Sequence, residues 1–342
     1  MIDSKDCKIR NVELEITNLC SHSCPYCYVG DVSCKEQVYF SDYDTICSII
    51  DKLNQYGAEM IALLGGDPVH HPRILDIIKY IKTNSAIKVS IMSNTLNFDS
   101  HTTAELSRYI DNIDFTLHGR NAEEHESYCK APVGSYEDVM SKLKEYSNSG
   151  VVVNIAINII PDTFDKIYDM VSSVVSEGVK ITALLLQRII PIGRAKDEQK
   201  YDVNKEQIAI ALQQIEKVER DFALEISFED PFPLCVIPEE YRRYMKGCPE
   251  GVSRIPVKGD GSISSCGAIG DVKLGNILTD TYDEIWTNST RFCEFRSGIF
   301  LTNEKCLTCE LREQCRGGCP VRYIMSEQEN GSFWKKFEYE SD

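Results

Sequence analysis

Short apolar runs alternate with amphipathic segments through the first half of the chain. The apolar runs are Val12 to Ile16, Met60 to Leu64, Val89 to Met92, Ile113 to Leu117, Val151 to Ile160 and Ile181 to Leu186. Helical periodicity marks the segments between them: Asp42 to Tyr56, Pro72 to Thr83, Ser100 to Ile110, Tyr136 to Ser149 and Phe164 to Glu177. Strands that are apolar on both faces and are joined by helices predict right-handed βαβ units in a parallel sheet. Six strands are fewer than the eight of a closed barrel, so we predict an α/β fold with an open or partial barrel.

The pattern changes beyond residue 195. Val203 to Phe222 predicts a helix and Leu224 to Phe228 a strand, after which three prolines between residues 231 and 238 interrupt the regularity. From Cys248 onward the chain is rich in loops, and the segment Lys258 to Gly261 predicts a hairpin turn between short strands. The predicted division is a barrel core (1–195), a bridging region (196–245) and a cysteine-rich domain (246–342).

Composition favours a cytoplasmic globular protein. The chain has 342 residues, of which 42% are apolar and 26% charged, and no apolar leader precedes the first predicted strand. No stretch approaches the roughly 18 apolar residues of a membrane span. The fifteen cysteines therefore predict metal-bound or free thiols. A net charge of -16 argues against nucleic acid and anionic membranes as partners, and favours a basic peptide or a small molecule.

Three cysteines follow the first predicted strand. Cys20, Cys24 and Cys27 have the spacing C-x3-C-x2-C. Three thiolates at this spacing can bind three irons of a cubane cluster and leave the fourth iron open to a small molecule. Zinc is a weaker alternative, because structural zinc needs a fourth ligand and His22 would serve only by straining a short turn.

A second set of cysteines lies near the other end of the chain. Four of them have the spacing C-x2-C-x5-C-x3-C: Cys306, Cys309, Cys315 and Cys319. Upstream, Cys248 is followed by 12 residues, Gly261, four residues and Cys266. So many thiols in a loop-rich segment are most simply explained by bound metal, and spacing alone leaves zinc as an alternative to iron.

The chain resembles, over nearly its whole length, the radical S-adenosylmethionine (SAM) enzymes that carry a SPASM domain. Cys20, Cys24 and Cys27, with Tyr26 before the last cysteine, are similar to the cluster loop of that superfamily. Further resemblances follow successive predicted strands: Gly65, Gly66, Asp67 and Pro68, similar to the family's G-G-E-P segment, then Ser93, Asn94, Thr116, Asn158 and Arg194. Each motif alone would also fit a turn or a strand-end cap. Their joint order implies that these residues and Tyr26 contact SAM, at the strand ends where parallel barrels place their chemistry.

The resemblance also implies the fold and the clusters. The fold would be a partial (β/α)6 TIM-like barrel with a C-terminal cysteine-rich iron-sulfur (SPASM) domain. Besides the radical SAM cluster, two auxiliary 4Fe-4S clusters are expected. The first would use Cys248, Cys266 and Cys319 with Cys235 as the fourth ligand, and the second would use Cys306, Cys309 and Cys315.

Two positions depart from the family pattern. No cysteine follows Cys319, so the second auxiliary cluster would use a tail carboxylate such as Glu338, recruit Cys293, stay open at one iron or not assemble. Where many SPASM enzymes place an arginine toward the SAM carboxylate, this chain has Cys129 and Lys130, and Lys130 would supply the charge without a bidentate fork. The remaining cysteines are predicted to be free thiols: Cys7, Cys34 and Cys47.

The implied activity is reductive cleavage of SAM to a 5'-deoxyadenosyl radical, which abstracts hydrogen from a substrate. The expected substrate is a ribosomally made precursor peptide, modified by crosslinking, thioether formation, oxidation or epimerisation. The alternative is a dehydrogenase or epimerase of a small molecule such as an aminoglycoside or cyclitol. A third alternative is a cluster protein that only carries electrons. This alternative is disfavoured, because such a protein would not need the segment Gly65 to Pro68, which resembles a SAM-binding motif. Since only 11 residues precede the first predicted strand, we expect a separate leader-binding protein or the acidic surface to hold a precursor peptide, and flavodoxin or ferredoxin to donate electrons.

Overall fold

One continuous sheet organises the protein. The computed structural model describes residues 7–28, 38–96, 98–195, 198–298, 301–302 and 304–323. The strands in these ranges are β1 (Asn11–Thr17), β2 (Met60–Gly65), β3 (Lys88–Met92), β4 (Asn112–Leu117), β5 (Val152–Asn158), β6 (Ala183–Gln187), β7 (Glu225–Phe228), β8 (Arg254–Lys258), β9 (Ser262–Cys266) and β10 (Ile269–Asn276). Their order across the sheet is β10-β9-β8-β1-β2-β3-β4-β5-β6-β7.

Helices connect the parallel strands. The α-helices within the described ranges are α1 (Tyr43–Gln55), α2 (Ile74–Asn84), α3 (Ser100–Leu106), α4 (Ala122–Cys129), α5 (Ser135–Asn148), α6 (Ile167–Ser176), α7 (Glu198–Tyr201), α8 (Lys205–Phe222), α9 (Thr290–Ser297), α10 (Glu304–Leu307) and α11 (Arg312–Cys315). Short 3-10 helices cover Pro68–His70, Gly193–Ala195, Leu234–Val236 and Glu239–Tyr244, and a π-helical turn covers Asp283–Thr287. None of the helices described is long and apolar enough to cross a bilayer.

The predicted partial barrel is confirmed. Strands β1 to β7 pair in chain order and all neighbours are parallel. The six predicted strands are β1 to β6, with ends that shift by one to two residues. Apolar side chains are buried on both faces of the sheet, as shown by the consecutive residues Ile155, Ala156 and Ile157 of β5. The carboxyl ends of these strands therefore lie along one edge, where the predicted site residues were expected.

The sheet runs through the bridging region into the cysteine-rich region. Strand β7 extends the parallel sheet beside β6, and β8 pairs in parallel with β1 on the other side. The predicted hairpin at Lys258 to Gly261 is confirmed, since β8 and β9 are antiparallel and the Gly261 amide donates to the Lys258 carbonyl at 2.8 Å. The boundaries at residues 195 and 245 stay predictions, because backbone hydrogen bonding continues across both.

Apolar stripes hold the helices on the sheet. In α2, the four isoleucines at positions 74, 77, 78 and 81 are at most 5% exposed. Burial of one such side chain contributes roughly 1.5–3 kcal/mol. Helix α8 begins with a capping box between Asn204 and Gln207 and buries Ile208, Leu212 and Ile215. Packing of these faces fixes the strand ends that carry the site.

The sequence pattern did not predict α4. Asn121 caps its first turn by accepting a hydrogen bond from the Glu124 amide at 3.0 Å. Its buried side chains are His125, Glu126 and Cys129. Because this buried face is polar, apolar periodicity gives no signal for the helix.

Candidate iron-sulfur and cofactor site

The loop after β1 brings together the three N-terminal cysteines. Cys20, Cys24 and Cys27 are half-buried, and their thiols are close enough to interact electrostatically. Burial raises the pKa of Cys20 to about 12, and the charges of Asp67 and Cys27 add to this effect. The pKa of Cys24 is also raised, first by burial and then by neighbouring thiols. Thiolates in this setting need bound cations, which an iron-sulfur cluster supplies.

Cys20, Cys24 and Cys27 offer three thiolates from one short loop. Three thiolates can bind three irons of a cubane, since each binds a different iron. Among the described residues, no group of three or more His, Cys, Asp or Glu side chains has the arrangement of a single-ion site. The chemistry of this donor set suits a cluster held by three cysteines.

The glycine pair after β2 is packed against this loop. The Gly66 amide donates to the Thr17 carbonyl at 2.8 Å, and the Asp67 amide donates to the Leu19 carbonyl at 2.7 Å. A Cβ atom on Gly66 would clash with the Leu19 backbone, and one on Gly65 would clash with Thr17. Both glycines thus allow the β2 loop to approach the backbone that leads into the cysteines.

Asp67 joins the ends of β2 and β3. Its fully buried Oδ2 accepts hydrogen bonds from the Ser93 hydroxyl at 3.1 Å, the Asn94 amide at 3.0 Å, and the amide and hydroxyl of Thr95 at 3.2 and 3.0 Å. Its Oδ1 caps the 3-10 helix Pro68–His70, whose first residue is buried. Four predicted site residues, Asp67, Pro68, Ser93 and Asn94, therefore form one hydrogen-bonded unit.

Tyr26 connects the cysteine loop to the ends of β4 and β5. Its hydroxyl is hydrogen-bonded to His118 Nδ1 and to the Asn158 side chain. Its ring centroid lies 5.6 Å from that of Tyr128 on α4. The structure thus brings together the predicted pair Tyr26 and Asn158. Thr116, on β4 two residues before His118, is half-buried.

Arg194 fixes the loop from the side of β6. Its backbone amide donates to the Cys27 carbonyl at 3.0 Å, and its Nη1 donates to the Cys24 carbonyl at 3.1 Å. The Tyr201 hydroxyl adds a bond to the Pro25 carbonyl at 3.1 Å. Arg194 is therefore beside the trio, and its predicted contact with SAM stays a prediction.

Lys130 ends α4 at the surface. Its side chain is exposed, and its backbone has a left-handed φ of 52° that lets its amide cap the Glu126 carbonyl. The preceding Cys129 is buried and its thiol donates to the His125 carbonyl at 3.0 Å. The role of Lys130 toward a SAM carboxylate stays a prediction.

Sequence reasoning missed a histidine group beside the loop, formed by His22, His118 and His125. The His118 amide donates to His125 Nδ1 at 3.2 Å, and the two rings are 5.0 Å apart. Burial lowers the pKa of His125 to about 3 and holds that of His118 well below its usual value. His22 is buried, and neither ring nitrogen has a hydrogen-bond partner in the described part of the chain. The sequence contained one signal for this group: three of its six histidines lie in the cysteine loop, at the end of β4 and on α4.

The first C-terminal set consists of Cys248, Cys266 and Cys319. All three are at most 9% exposed, and their thiols interact with one another. Glu250 is also buried and interacts with Cys248 and Cys266. Buried arginines offset this negative charge: Arg254 beside Cys248, and Arg188 and Arg322 beside Cys319. A dense anionic cluster suits this environment.

The second C-terminal set is Cys306, Cys309, Cys315 and Cys235. Cys235 interacts electrostatically with all three of the others. The neighbouring Leu234 amide donates to Cys315 Sγ at 3.3 Å. The structure thus places Cys235 beside the second set, whereas the sequence analysis assigned it to the first. The reason is that residues 231–235 turn back onto the C-terminal cysteine run, although Cys235 is nearer to Cys248 in sequence.

Three further cysteines within the described residues are Cys7, Cys47 and Cys293. Cys293 is exposed on α9 and its thiol donates to the Thr287 carbonyl at 3.4 Å. Cys7 is buried and Cys47 is half-buried, and the described cysteines form no disulfide. Cys34 and Glu338 lie outside the described residues.

Known proteins match both parts of the chain. The model of the radical SAM superfamily matches residues 14–174, and that of the SPASM iron-sulfur cluster-binding domain matches residues 248–316. The AdoMet-dependent heme synthase of Nitratidesulfovibrio vulgaris is 22% identical over 94% of this chain and 90% of its own length. The antilisterial bacteriocin subtilosin biosynthesis protein AlbA of Bacillus subtilis is 24% identical over 96% of this chain and 71% of its own.

A solved structure shares the fold. SuiB of Streptococcus suis bound to S-adenosylmethionine has a TM-score of 0.75 at 17% identity, over 98% of this chain and 77% of its own. SuiB bound to the precursor peptide SuiA has a TM-score of 0.73 at 16% identity, over 93% and 73%. Radical SAM proteins bind SAM and a 4Fe-4S cluster, and SPASM domains bind iron-sulfur clusters. Residues 14–174 therefore form a radical SAM domain, and residues 248–316 form a SPASM iron-sulfur cluster-binding domain.

Proposed function

We propose that this protein is a radical SAM maturase that modifies a ribosomally made precursor peptide. The observation that carries the proposal is the alignment with AlbA, a bacteriocin biosynthesis protein, over 96% of the chain, which includes all three cysteine sets. The fold shared with SuiB, which has been solved with a precursor peptide, supports it. A net charge of -16 favours a basic peptide, with a separate leader-binding partner where one is needed.

The residues of the N-terminal site have defined tasks in this proposal. Cys20, Cys24 and Cys27 would hold a 4Fe-4S cluster beside the SAM site. With both bound, one electron from a flavodoxin or ferredoxin would break the C–S bond of SAM, which gives methionine and a 5'-deoxyadenosyl radical that removes hydrogen from the substrate. Gly66 and Arg194 hold the backbone of the cysteine loop in place through the contacts described above.

Asp67 is suited to the methionyl ammonium of SAM. Its Oδ2 is occupied by donors at residues 93–95, whereas Oδ1 accepts only the Val69 amide among the described residues, at 3.2 Å. A carboxylate oxygen has a second lone pair for a charged donor. Tyr26, Ser93, Asn94, Thr116, Asn158 and Lys130 are the further proposed contacts.

A small-molecule substrate is the second candidate. The heme synthase relative, aligned over 94% of this chain, favours a tetrapyrrole over the sugars and cyclitols named from the sequence. This candidate needs the same N-terminal site. The two proposals differ in what supplies the abstracted hydrogen.

Isotope transfer separates the candidates. Anaerobically reconstituted protein would be given SAM, dithionite and either perdeuterated synthetic peptides from short reading frames beside its gene or a deuterated tetrapyrrole. We expect deuterium from a peptide in 5'-deoxyadenosine, with a mass change in that peptide. Transfer only from the tetrapyrrole would reject the peptide proposal. A Cys24→Ala variant should release no 5'-deoxyadenosine, whereas Cys47→Ala on α1 should behave as the parent.

A further inference from the structure

The C-terminal cysteines divide unequally once Cys235 is placed by the structure. Electrostatic contacts group Cys235 with Cys306, Cys309 and Cys315, whereas the other group keeps three thiols, those of Cys248, Cys266 and Cys319. The family pattern expects the last thiolate of the second cluster after Cys319, and residues 320–342 contain no cysteine. The structure offers a replacement from upstream, outside the matched SPASM range of 248–316.

Backbone contacts fix this replacement. The Cys319 amide donates to the Pro231 carbonyl at 3.0 Å, and the Leu234 amide donates to Cys315 Sγ at 3.3 Å. Gly318 has a φ of 73°, and a Cβ atom there would collide with the backbone of residues 231–233. Residues 231–235 are therefore packed on the C-terminal cysteine run rather than merely near it.

We propose that Cys235 is the fourth thiolate of the second auxiliary cluster, together with Cys306, Cys309 and Cys315. The three partners lie on α10, α11 and the turn between them, and Cys235 approaches from the 3-10 helix Leu234–Val236. Four thiolates complete the coordination of a cubane. The proposal depends on the iron-sulfur chemistry of the SPASM domain and not on the identity of the substrate.

Thiol footprinting tests the proposal in the unmodified chain. The Cys235 side chain is exposed and should react with iodoacetamide in metal-free protein, although slowly, because burial and neighbouring thiols raise its pKa to about 12. After anaerobic reconstitution its labelling should fall by at least about tenfold, because a metal-bound thiolate is not free to react. Cys293, the alternative ligand considered from sequence, is also exposed and should be labelled equally in both states. Equal labelling of Cys235 in both states, or protection of Cys293 instead, would overturn the assignment.

Iron content gives a second measurement. In a background that lacks the N-terminal trio, Cys235→Ala should lose about one to four irons per chain, as the cubane loses a corner or is lost entirely. Cys293→Ala should lose none. An unchanged iron content and unchanged electron paramagnetic resonance (EPR) spectrum in Cys235→Ala would refute the proposal. Failure of peptide turnover would not affect either readout.

A different observation bears on the first set, which keeps only three thiols. Glu250 is 2% exposed, and its Oε1 accepts a hydrogen bond from Arg254 Nε at 2.9 Å. Its Oε2 is buried and has no hydrogen-bond partner among the described residues. A buried carboxylate oxygen without a partner is costly unless something binds it. This oxygen belongs to a residue that interacts with both Cys248 and Cys266.

We infer that Glu250 Oε2 is the fourth ligand of the first auxiliary cluster. Glu250→Gln keeps an acceptor for Arg254 and removes the anionic ligand, so the EPR signal of this cluster should change and its reduction potential should rise. Glu250→Cys should restore a fully ligated cluster. The matched control is Glu229→Gln, which alters another carboxylate on Arg254 at 2.8 Å. An unchanged spectrum in Glu250→Gln, or an equal shift in Glu229→Gln, would show that Glu250 is not a ligand.

Discussion

Asp67 and Thr95 are joined by two hydrogen bonds between the ends of β2 and β3. The Asp67 carboxylate accepts from the Thr95 amide at 3.2 Å and from its hydroxyl at 3.0 Å. The amides of Gly66 and Asp67 in turn hold the backbone that leads to Cys20. A single buried carboxylate thus links two strand ends to the cysteine loop.

Loss of this carboxylate should destabilise the protein. Asp67→Ala leaves several buried donors at residues 93–95 without an acceptor, and each such group costs about 1–3 kcal/mol. We expect the free energy of unfolding of metal-free protein to fall by about 3 kcal/mol in urea denaturation. Asp76→Ala, at an exposed ion pair on α2, is the control and should change it by less than about 1 kcal/mol. Equal effects of the two variants would contradict the structural role of Asp67.

The close approach at Gly66 predicts a specific loss of iron. A Cβ atom there would clash with the Leu19 backbone, so Gly66→Ala should displace the cysteine loop. The variant should bind about four fewer irons per chain while the C-terminal clusters remain. Gly57→Ala is the control: its φ of 79° strains the added side chain locally, but the Cβ meets no atom within 4 Å, so the iron content should not change. Full iron content in Gly66→Ala would show that the loop tolerates the side chain.

His125 predicts a pH-dependent stability. Its pKa is about 3 in the folded protein because it is buried and because His22 adds like charge. The unfolded side chain binds a proton near pH 6.5 and the folded one does not, so stability is lost as pH falls below about 6.5. Between pH 7 and pH 5, the titration of His125 lowers the free energy of unfolding by about 2 kcal/mol.

Removal of this titration is measurable. Between pH 7 and pH 5, the metal-free His125→Phe variant should lose about 2 kcal/mol less stability than the parent. Urea denaturation at several pH values gives the difference. Phenylalanine can stack on Phe115 as His125 does, at a centroid distance of 5.6 Å. Parallel stability curves for parent and variant would disprove the depressed pKa.

Replacement of Arg254, which lies on β8, should lower the free energy of unfolding. Arg254 pairs with Glu229 at 2.8 Å, Glu250 at 2.9 Å and Glu13 at 3.3 Å, and its side chain is 17% exposed. Arg254→Met leaves three carboxylates close together, so the free energy of unfolding should fall by about 3–5 kcal/mol. Arg10→Met, at an exposed pair with Glu59, should have little effect in the same thermal or urea unfolding. A loss below about 1 kcal/mol in Arg254→Met would contradict the network.

The barrel was predictable because its signals are local. Each of β1 to β6 is a short apolar run, and the intervening helices have apolar stripes, so strand order and parallel pairing follow from chirality and burial. Helix α4 was not predictable, since it buries His125, Glu126 and Cys129 in place of apolar side chains. The histidine group was missed for the same reason.

The grouping of cysteines shows where sequence spacing is insufficient. Spacing places Cys235 with Cys248, 13 residues away, because no local signal shows that residues 231–235 fold back. The partner of Cys235 is decided by tertiary contacts such as Leu234 to Cys315. Likewise, only the structure shows that Arg254 donates to Glu250 Oε1, whereas Oε2 has no hydrogen-bond partner among the described residues.

The parallel pairing of β1 with β8 has a consequence for electron movement. Five register pairs, from Asn11 with Arg254 to Glu15 with Lys258, connect the two strands. The strand before Cys20 and the hairpin that ends at Cys266 are thus parts of one rigid lattice. For clusters bound at these two places, the tunnelling distance would be set by this strand pairing and not by side-chain conformation.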